Sequence, residues 1–205
     1  MRDPKRRKML LEAALKRFGA EGYDAPTTRS IAADAGVSEV VLFRHFPSKR
    51  ELFLAVIGEF GPRELFRHLP SDLRRERSAV ESLRSLVTDY LDTTWKHRSW
   101  LRVLFQEAGR DPEAARALRG QYRRVGQALQ AILRDGAASG EFREDICAAA
   151  MQVIALAVRG FIARNASRRP KDWETERDAF VGNLMSVVAE GLRAPQDDTK
   201  GVREQ

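Results

Sequence analysis

One stretch of the sequence, residues 27–46, carries residue types whose spacing indicates a definite chemistry. It holds two short amphipathic helical patterns joined by the tight turn Ala35-Gly36-Val37, which is the sequence form of a helix-turn-helix. Glycine reaches a positive φ in that turn without steric cost, and Ser38 can cap the second helix. Such a pair of helices presents side chains to base edges in the major groove of DNA. The stretch therefore predicts a DNA-binding protein.

A small apolar core must hold these two helices in place. The segment before them has an apolar stripe at helical spacing, and the helix-turn-helix contributes residues to the same core. Two phenylalanines, at positions 46 and 53, are expected to close this core from the other side. The residues that share this role are Leu10, Leu11, Ala14, Leu15, Phe18, Ile31, Ala32, Ala35, Val37, Leu42, Phe46 and Phe53.

Signals for helix starts recur along the whole chain, whereas sustained period-two alternation and hairpin turns do not occur in the sequence. Asp3-Pro4 and Asp111-Pro112 each place a capping residue before a proline at the first helical position. Capping boxes begin at residues 48 and 78. The sequence predicts an all-α protein of about nine helices, near residues 4–20, 28–34, 38–44, 49–60, 79–97, 99–108, 112–138, 144–166 and 173–192.

Charge is spread unevenly over the chain. Of the net charge of +7, residues 1–50 carry +5 and the remaining 155 residues carry +2. The positive excess therefore falls on the helix-turn-helix part, where DNA phosphates would be met. We predict a DNA-binding domain over residues 1–50, a helical domain over residues 51–195 and a disordered tail over residues 196–205.

Residue types that serve catalysis or metal binding are sparse. The chain has three histidines (His45, His68 and His97) and one cysteine, Cys147, none of them in a metal-ligand or catalytic-triad pattern. No glycine loop of the kind that cradles phosphates occurs either, so we expect no enzyme activity, no metal and no cofactor. The sequence has no signal-peptide pattern and no run of eighteen apolar residues. A cytoplasmic protein without a membrane span is therefore expected.

Over residues 9–53 the sequence resembles the N-terminal domain of TetR-type regulators, the tetracycline-repressor family. The remaining residues resemble the family in helical character and length, and in short segments around residues 100–112 and 140–143. The sequence departs from the usual pattern at Val40, where members often have a small residue, and at Phe43, where they often have tyrosine. The positions that agree at fixed spacing are Ala13, Ala14, Phe18, Gly22, Tyr23, Thr27, Thr28, Ile31, Ala32, Ala35, Gly36, Val37, Ser38, Leu42, Phe43, His45, Phe46, Lys49 and Leu52.

The resemblance implies that one group of residues contacts the phosphate backbone. Thr28 and Arg29 stand at the start of the first helix of the motif, where a hydroxyl and a guanidinium suit phosphate oxygens. His45 and Lys49 would clamp the backbone from the end of the second helix and the start of the next one. Phe43 lacks the tyrosine hydroxyl, so its role would be packing against sugar or backbone. Core packing of Phe43 and a structural role for His45 are the alternatives.

A second group, at the start of the recognition helix, is implied to reach base edges and comprises Ser38, Glu39, Val40 and Val41. Glu39 could accept a hydrogen bond from cytosine, and Val41 could pack on a thymine methyl group. Arg44 is the candidate for a bidentate contact to guanine, with a phosphate contact as the alternative. A solvated surface pair of Glu39 and Arg44 is the other interpretation.

The resemblance further implies a homodimer that binds a palindromic operator in double-stranded DNA. Apolar stripes on the last two predicted helices are the expected dimer interface, and Gly160 and Gly182 would permit close approach of helices. The alternative is that these stripes complete the core of the single chain. The residues predicted at the interface are Val153, Ala157, Phe161, Phe180, Val181, Leu184, Met185 and Val188.

Members of the family commonly enclose a small-molecule cavity among the middle helices. A largely apolar lining would suit a hydrophobic or aromatic effector, although aromatic residues at helical spacing also serve as ordinary core. Arg159 interrupts an apolar helix and could meet an acidic ligand group, face solvent or pair with an acid. The residues expected to bind the effector are Tyr90, Trp95, Phe105, Tyr122, Met151 and Arg159.

The sequence as a whole predicts a homodimeric DNA-binding transcriptional regulator. We expect a repressor whose affinity for its operator falls when a small-molecule effector binds. The alternative is a helical ligand-binding or adaptor protein of the same fold that does not bind an operator. The basic first fifty residues and the presence of Thr28, His45 and Lys49 argue against that alternative, and salt-dependent DNA binding would separate the two.

Overall fold

Capping residues and helix-stopping glycines set the ends of the elements in a computed structural model, which describes residues 3–61, 78–166 and 172–192. These residues contain no strand, so the all-α prediction is confirmed. Each predicted helix is found within about one residue of its expected ends, except that the eighth begins as a 3-10 helix, Glu144–Ile146. The α-helices of the described residues are α1 Pro4–Glu21, α2 Thr28–Asp34, α3 Glu39–His45, α4 Lys49–Phe60, α5 Ala79–Lys96, α6 Arg98–Glu107, α7 Pro112–Ala138, α8 Cys147–Ala166 and α9 Trp173–Leu192.

Side-chain caps begin each of the helices that build the helix-turn-helix part. The Thr27 hydroxyl accepts a hydrogen bond from a backbone N–H in the first turn of α2, and Ser48 does the same for α4. Ser38 caps α3 with a longer bond of 3.4 Å to the backbone N–H of Val41. Gly36, in the turn between α2 and α3, has a φ of 68°, the left-handed conformation that the sequence predicts there.

The first compact unit contains α1 to α4, the end of α5, α6 and the first half of α7. Its centre is a cluster of aromatic rings around Phe53 of α4. Phe18 of α1 lies edge-on to that ring at 5.4 Å between centroids, and Trp100 of α6 lies at 5.6 Å. The helix-turn-helix is therefore held by side chains from α4 and α6 as well as by those of residues 1–50.

An ion pair fixes α2 against α1 in this unit. The Arg17 guanidinium donates two hydrogen bonds to the Asp34 carboxylate, at 2.6 and 2.9 Å, and a third to Glu21 at 2.8 Å. The paired geometry is the bidentate one that arginine and carboxylate favour. Hydrogen bonding to Arg17 lowers the pKa of Asp34, so the pair is charged over the whole physiological range.

The second compact unit contains most of α5, the second half of α7, the 3-10 helix, α8 and α9. Phe161 of α8 stacks on Phe180 of α9 with ring centroids 4.2 Å apart. At the other end of this unit, the Glu141 carboxylate accepts hydrogen bonds from the backbone N–H groups of Ala79 and Val80. The predicted capping box is also present, since Ser78 Oγ accepts from the Glu81 N–H and the Glu81 carboxylate accepts from the Ser78 N–H. A side chain distant in sequence thus adds to the local cap of α5.

One helix of the described residues, spanning Glu144–Asn165, is long and apolar enough to cross a membrane, with a mean hydropathy of 2.0. No uninterrupted apolar run had predicted it, because Gln152 and Arg159 divide the apolar residues. Only 17% of its most apolar window is buried. This helix therefore presents apolar side chains to its surroundings.

We expect Gly136→Ala to lower the free energy of unfolding by about 1–3 kcal/mol, although alanine favours helix over glycine. A Cβ atom at this position of α7 would overlap the ring of Phe142 and lie 2.9 Å from the Cβ atom of Ala79. Gly120→Ala, in the same helix but with no atom within 4 Å of the added carbon, is the matched control. It should stabilise the protein by about 0.4–1 kcal/mol. Chemical denaturation measures both, and equal effects would contradict the close packing described.

Candidate nucleic-acid interface

The recognition helix α3 turns one side into the core and the other outward. Leu42, on the inner side of α3, is fully buried, whereas Val40 is 63% exposed and Phe43 is 44% exposed. Arg44 is exposed beside them. Two large apolar side chains and an arginine thus share the outer side of α3. Such a surface can offer thymine methyl groups an apolar contact and guanine or phosphate a guanidinium.

Glu39, at the start of α3, is held by the first residue of α2. The Thr28 hydroxyl donates a hydrogen bond of 2.5 Å to the Glu39 carboxylate. This bond connects the N-terminal ends of both helices of the motif and orients the Glu39 carboxylate. Arg29 and Arg44 make no ion pair or hydrogen bond within the part of the chain that the structure describes, so their charges are available to a ligand. The structure therefore gives no support to a paired Glu39 and Arg44.

His45 and Lys49 lie on the inner side of this surface. His45 is 8% exposed, and its Nδ1 atom has no hydrogen-bond partner among the described residues. The Lys49 ammonium donates to the backbone carbonyl of Asp24 at 2.8 Å and lies 5.0 Å above the Tyr23 ring. Desolvation by burial lowers the pKa of Lys49. Lys49 thus contacts the loop before α2, whereas the His45 ring lies beside Phe46. A phosphate contact by either side chain stays a prediction.

A carboxylate at the start of α7 joins that helix to α4. Asp111 accepts a hydrogen bond of 2.7 Å from the Arg50 guanidinium through one oxygen. Its other oxygen accepts bonds from the backbone N–H groups of Glu113 and Ala114 and so caps α7. Burial alone would raise the pKa of Asp111, but these hydrogen bonds outweigh it and lower the pKa. The Asp111-Pro112 pair predicted the cap, whereas no local signal predicted Arg50 as its partner.

The residues predicted to bind an effector fall in both compact units. Tyr90 is buried, whereas Phe105 and Tyr122 are 40% and 44% exposed. Trp95 is half-buried, with the Arg98 guanidinium 4.1 Å from its ring centroid. Met151 is half-buried and Arg159 is exposed. A groove of about 640 Å³ lies elsewhere, between α1 and α2. An effector site at the six residues therefore stays a prediction.

Most of the residues predicted at the dimer interface are buried by contacts within their own chain. Phe161, Val181, Leu184, Met185 and Val188 are each at most 7% exposed, Ala157 is half-buried, and Phe180 stacks on Phe161. Val153 is half exposed. Two neighbours outside the predicted set have larger exposed fractions, Leu156 at 73% and Val187 at 67%. In the sequence, each of these two residues is an apolar residue on a side of its helix that otherwise carries mostly polar or small residues. That pattern is the one local indication that they would be exposed.

Sequence comparison accounts for most of the chain. Residues 10–56 match the family described as bacterial regulatory proteins, tetR family, and residues 76–163 match the tetracyclin repressor-like C-terminal domain. The chain belongs to the TetR family. The match to the C-terminal domain extends the TetR resemblance beyond residue 53, where the sequence analysis had found little more than helical character. As a TetR-family member the chain is a DNA-binding transcriptional regulator.

Individual relatives match between two thirds of the chain and nearly its full length. The chain is 27% identical over 197 residues to the HTH-type transcriptional repressor AcnR of Corynebacterium diphtheriae, covering 93% of each protein. It is 30% identical over 145 residues to the HTH-type transcriptional repressor NicS of Pseudomonas putida, covering 67% of this chain and 66% of NicS. A tetR-family regulatory protein of Rhodococcus RHA1 has the same fold, with a TM-score of 0.71, 22% identity and coverage of 95% and 100%.

We expect Asp111→Asn to remove part of the pH dependence of stability. The folded-state pKa of Asp111 lies below the ordinary value of 3.8, so its charge stabilises the fold above that pH and ceases to do so as the pH falls below it. Asparagine still caps α7, which leaves the charge as the difference between the two proteins. Urea midpoints measured at about pH 6 and pH 3 should differ between wild type and variant mainly at the higher pH. A constant difference would contradict the assigned charge interaction.

Proposed function

We propose that this TetR-family regulator is a homodimeric repressor that binds a palindromic operator and releases it when a small-molecule effector binds. The observation that carries DNA reading is the outer side of α3, where Val40, Phe43 and an unpaired Arg44 stand together. The orientation of Glu39 by Thr28 supports a base contact at the start of the same helix. The relatives AcnR and NicS are both named repressors, which supports repression.

The contacts to DNA divide by chemistry. Arg44 supplies a bidentate guanidinium to guanine, and Glu39 accepts a hydrogen bond from cytosine. Val40 and Val41 meet thymine methyl groups, with Phe43 packed against sugar. Ser38 lies at the edge of the groove, because its hydroxyl also caps α3. Thr28 and Arg29 contact phosphates, which place the protein on the duplex and carry no sequence information. His45 and Lys49 contact phosphates as well, and for this contact the Lys49 ammonium gives up its hydrogen bond to the Asp24 carbonyl.

The second chain of the dimer covers the exposed apolar side chains of α8 and α9. Leu156, Val153 and Val187 are exposed in the single chain, where their contact with water is unfavourable. A helix of mean hydropathy 2.0 that is only 17% buried needs an apolar partner. A second copy provides one without a membrane, and we accordingly place the protein in the cytoplasm. The buried residues Phe161, Leu184 and Met185 support this surface from within.

The effector acts by favouring a state whose two recognition helices are spaced wrongly for the operator. A ligand shifts such an equilibrium only through different affinities for the two states, typically by about 1–3 kcal/mol. The bond from Arg50 to Asp111 joins α4 to the α6–α7 turn, so a displacement of that turn reaches the residues after α3. An apolar or aromatic molecule suits the aromatic residues named above.

Selection of genomic DNA fragments by the purified protein tests this function. Wild type should recover fragments that share one palindrome. Arg44→Gln should weaken binding to that palindrome by about 5- to 150-fold and relax the base preference at the contacted position. Arg102→Gln, which removes an exposed arginine of α6, is the control with the same charge change and should bind like wild type. Recovery of no shared sequence would instead support a helical adaptor without operator binding.

Leu156→Glu should dissociate the dimer. Burial of an unpaired carboxylate in the interface is costly, so we expect dimerisation to weaken at least about tenfold. Met9→Glu introduces the same charge at an exposed apolar residue of α1, and should remain dimeric. Sedimentation analysis distinguishes a species of twice the 23.2 kDa chain mass from the single chain. A wild type that sediments as a single chain, or a Leu156→Glu variant that stays dimeric, would contradict this interface.

A further inference from the structure

A long segment of α7 carries positive charge without any acidic residue. Residues 114–134 contain five arginines and neither aspartate nor glutamate. Three of them, Arg116, Arg119 and Arg123, follow the spacing i, i+3, i+7, which places them along one side of the helix. We call these three residues the α7 arginine row. It lies within the first compact unit, which also carries the recognition helix.

The α7 arginine row is exposed and points away from the core. Ala114 and Leu118, on the inner side of the same helix, are buried in the cluster that contains residues of α1 to α4. All three arginines of the row are exposed. Because the inner side of α7 packs on that core, the row faces solvent.

The charge of the row is not neutralised within the described part of the chain. Arg17, Arg50 and Arg110 of the same unit each form an ion pair with a carboxylate. No member of the row has an ion pair or a hydrogen bond to a described residue. Three neighbouring like charges repel one another on a helix, and a bound anion would relieve that repulsion.

The dimensions of the row suit a phosphate backbone. From the first to the last of its arginines the helix rises about 10.5 Å. One strand of DNA presents about three phosphates over that axial length. Guanidinium groups bind phosphate oxygens in a bidentate manner and stay charged at every physiological pH. The arrangement matches three arginines to about three phosphates.

The row and the recognition helix occupy different parts of the unit. α3 packs on α2, whereas α7 follows α6, and both α2 and α6 pack on α1. We propose that the α7 arginine row binds the phosphate backbone of a second DNA duplex, so that one regulator can bridge two DNA segments. This inference goes beyond the proposed function and does not depend on the operator sequence.

Energy transfer between two DNA duplexes tests the proposal. Duplexes of about three helical turns and unrelated sequence carry a donor or an acceptor dye, and the full-length protein is added at about 0.05 M salt. Wild type should bring donor and acceptor together. The triple variant Arg116→Gln/Arg119→Gln/Arg123→Gln should lose the transfer. Glutamine keeps nearly the helix propensity of arginine, so α7 should remain folded.

The control variant is Arg84→Gln/Lys96→Gln/Arg102→Gln, which removes the same charge from exposed residues outside the row. It should transfer energy like wild type. In anisotropy titrations, removal of the row should reduce the slope of log K against log salt by up to about 2.7, and Arg119→Gln alone by about 0.9. The single substitution keeps the test decisive if the triple variant does not fold.

Absence of transfer with wild type, or equal transfer with the row variant, would overturn the proposal. Transfer would be equal in the two proteins if, for example, the row binds an acidic protein segment and not DNA. The selection of genomic DNA fragments shows whether the proposed operator binding has failed as well, because it does not depend on the second duplex. A row variant that loses transfer yet still recovers the palindrome supports both, whereas transfer by a wild type that recovers no shared sequence supports the row alone.

Discussion

Two helices of seven residues cannot hold their shape in water, because an isolated helix shorter than about 12–15 residues is marginal at best. The surface that we propose to read DNA consists of α2 and α3, so it needs support from the rest of the unit. Ile31 and Leu42 are fully buried in the apolar cluster that also contains residues of α1. Their burial stabilises two helices that are too short to be stable through their own hydrogen bonds. The long α1 and the aromatic cluster around Phe53 thus hold in place the side chains that we propose to contact bases.

Charged residues in the first unit serve two purposes. Arg17 and Arg50 are committed to carboxylates that join one helix to another, Asp34 on α2 and Asp111 at α7. Arg44 and the α7 arginine row have no such partner in the described residues. Pairs of the first kind fix geometry and cancel each other's field, whereas charges of the second kind add to the potential that attracts polyanions. The net charge of +7 alone does not show which arginines are paired with carboxylates and which are not.

The helices were predictable because their ends are local properties. Capping serines and threonines, the prolines after Asp3 and Asp111, and Gly36 each act within a few residues of their own position. Family resemblance supplied the candidate DNA contacts, and the exposure of Val40 and Arg44 agrees with the roles it implies. The inward position of Lys49 was not predictable, since its partner Asp24 lies 25 residues earlier.

Contacts between distant segments limited the rest of the prediction. Trp100 packs on Phe53 although the two residues are almost fifty positions apart in the sequence. The apolar periodicity within either helix does not predict this contact. An apolar stripe indicates which side of a helix is covered but not by what. For this reason the stripe through Phe161 and Leu184 did not distinguish the interior of one chain from a surface between two chains. The exposed Leu156 lies beside that stripe.

Asp111 has two kinds of partner, the Arg50 guanidinium on one oxygen and the backbone N–H groups of Glu113 and Ala114 on the other. A substitution there that suited the start of α7 alone would release Arg50, and one that suited Arg50 alone would leave backbone N–H groups of α7 without an acceptor. Few residue types satisfy both demands. In descendants of this protein the position should therefore change slowly, and a change at 50 should be followed by one at 111. New regulatory behaviour should therefore evolve mainly through substitutions at the surrounding residues, because a single substitution there alters only one contact.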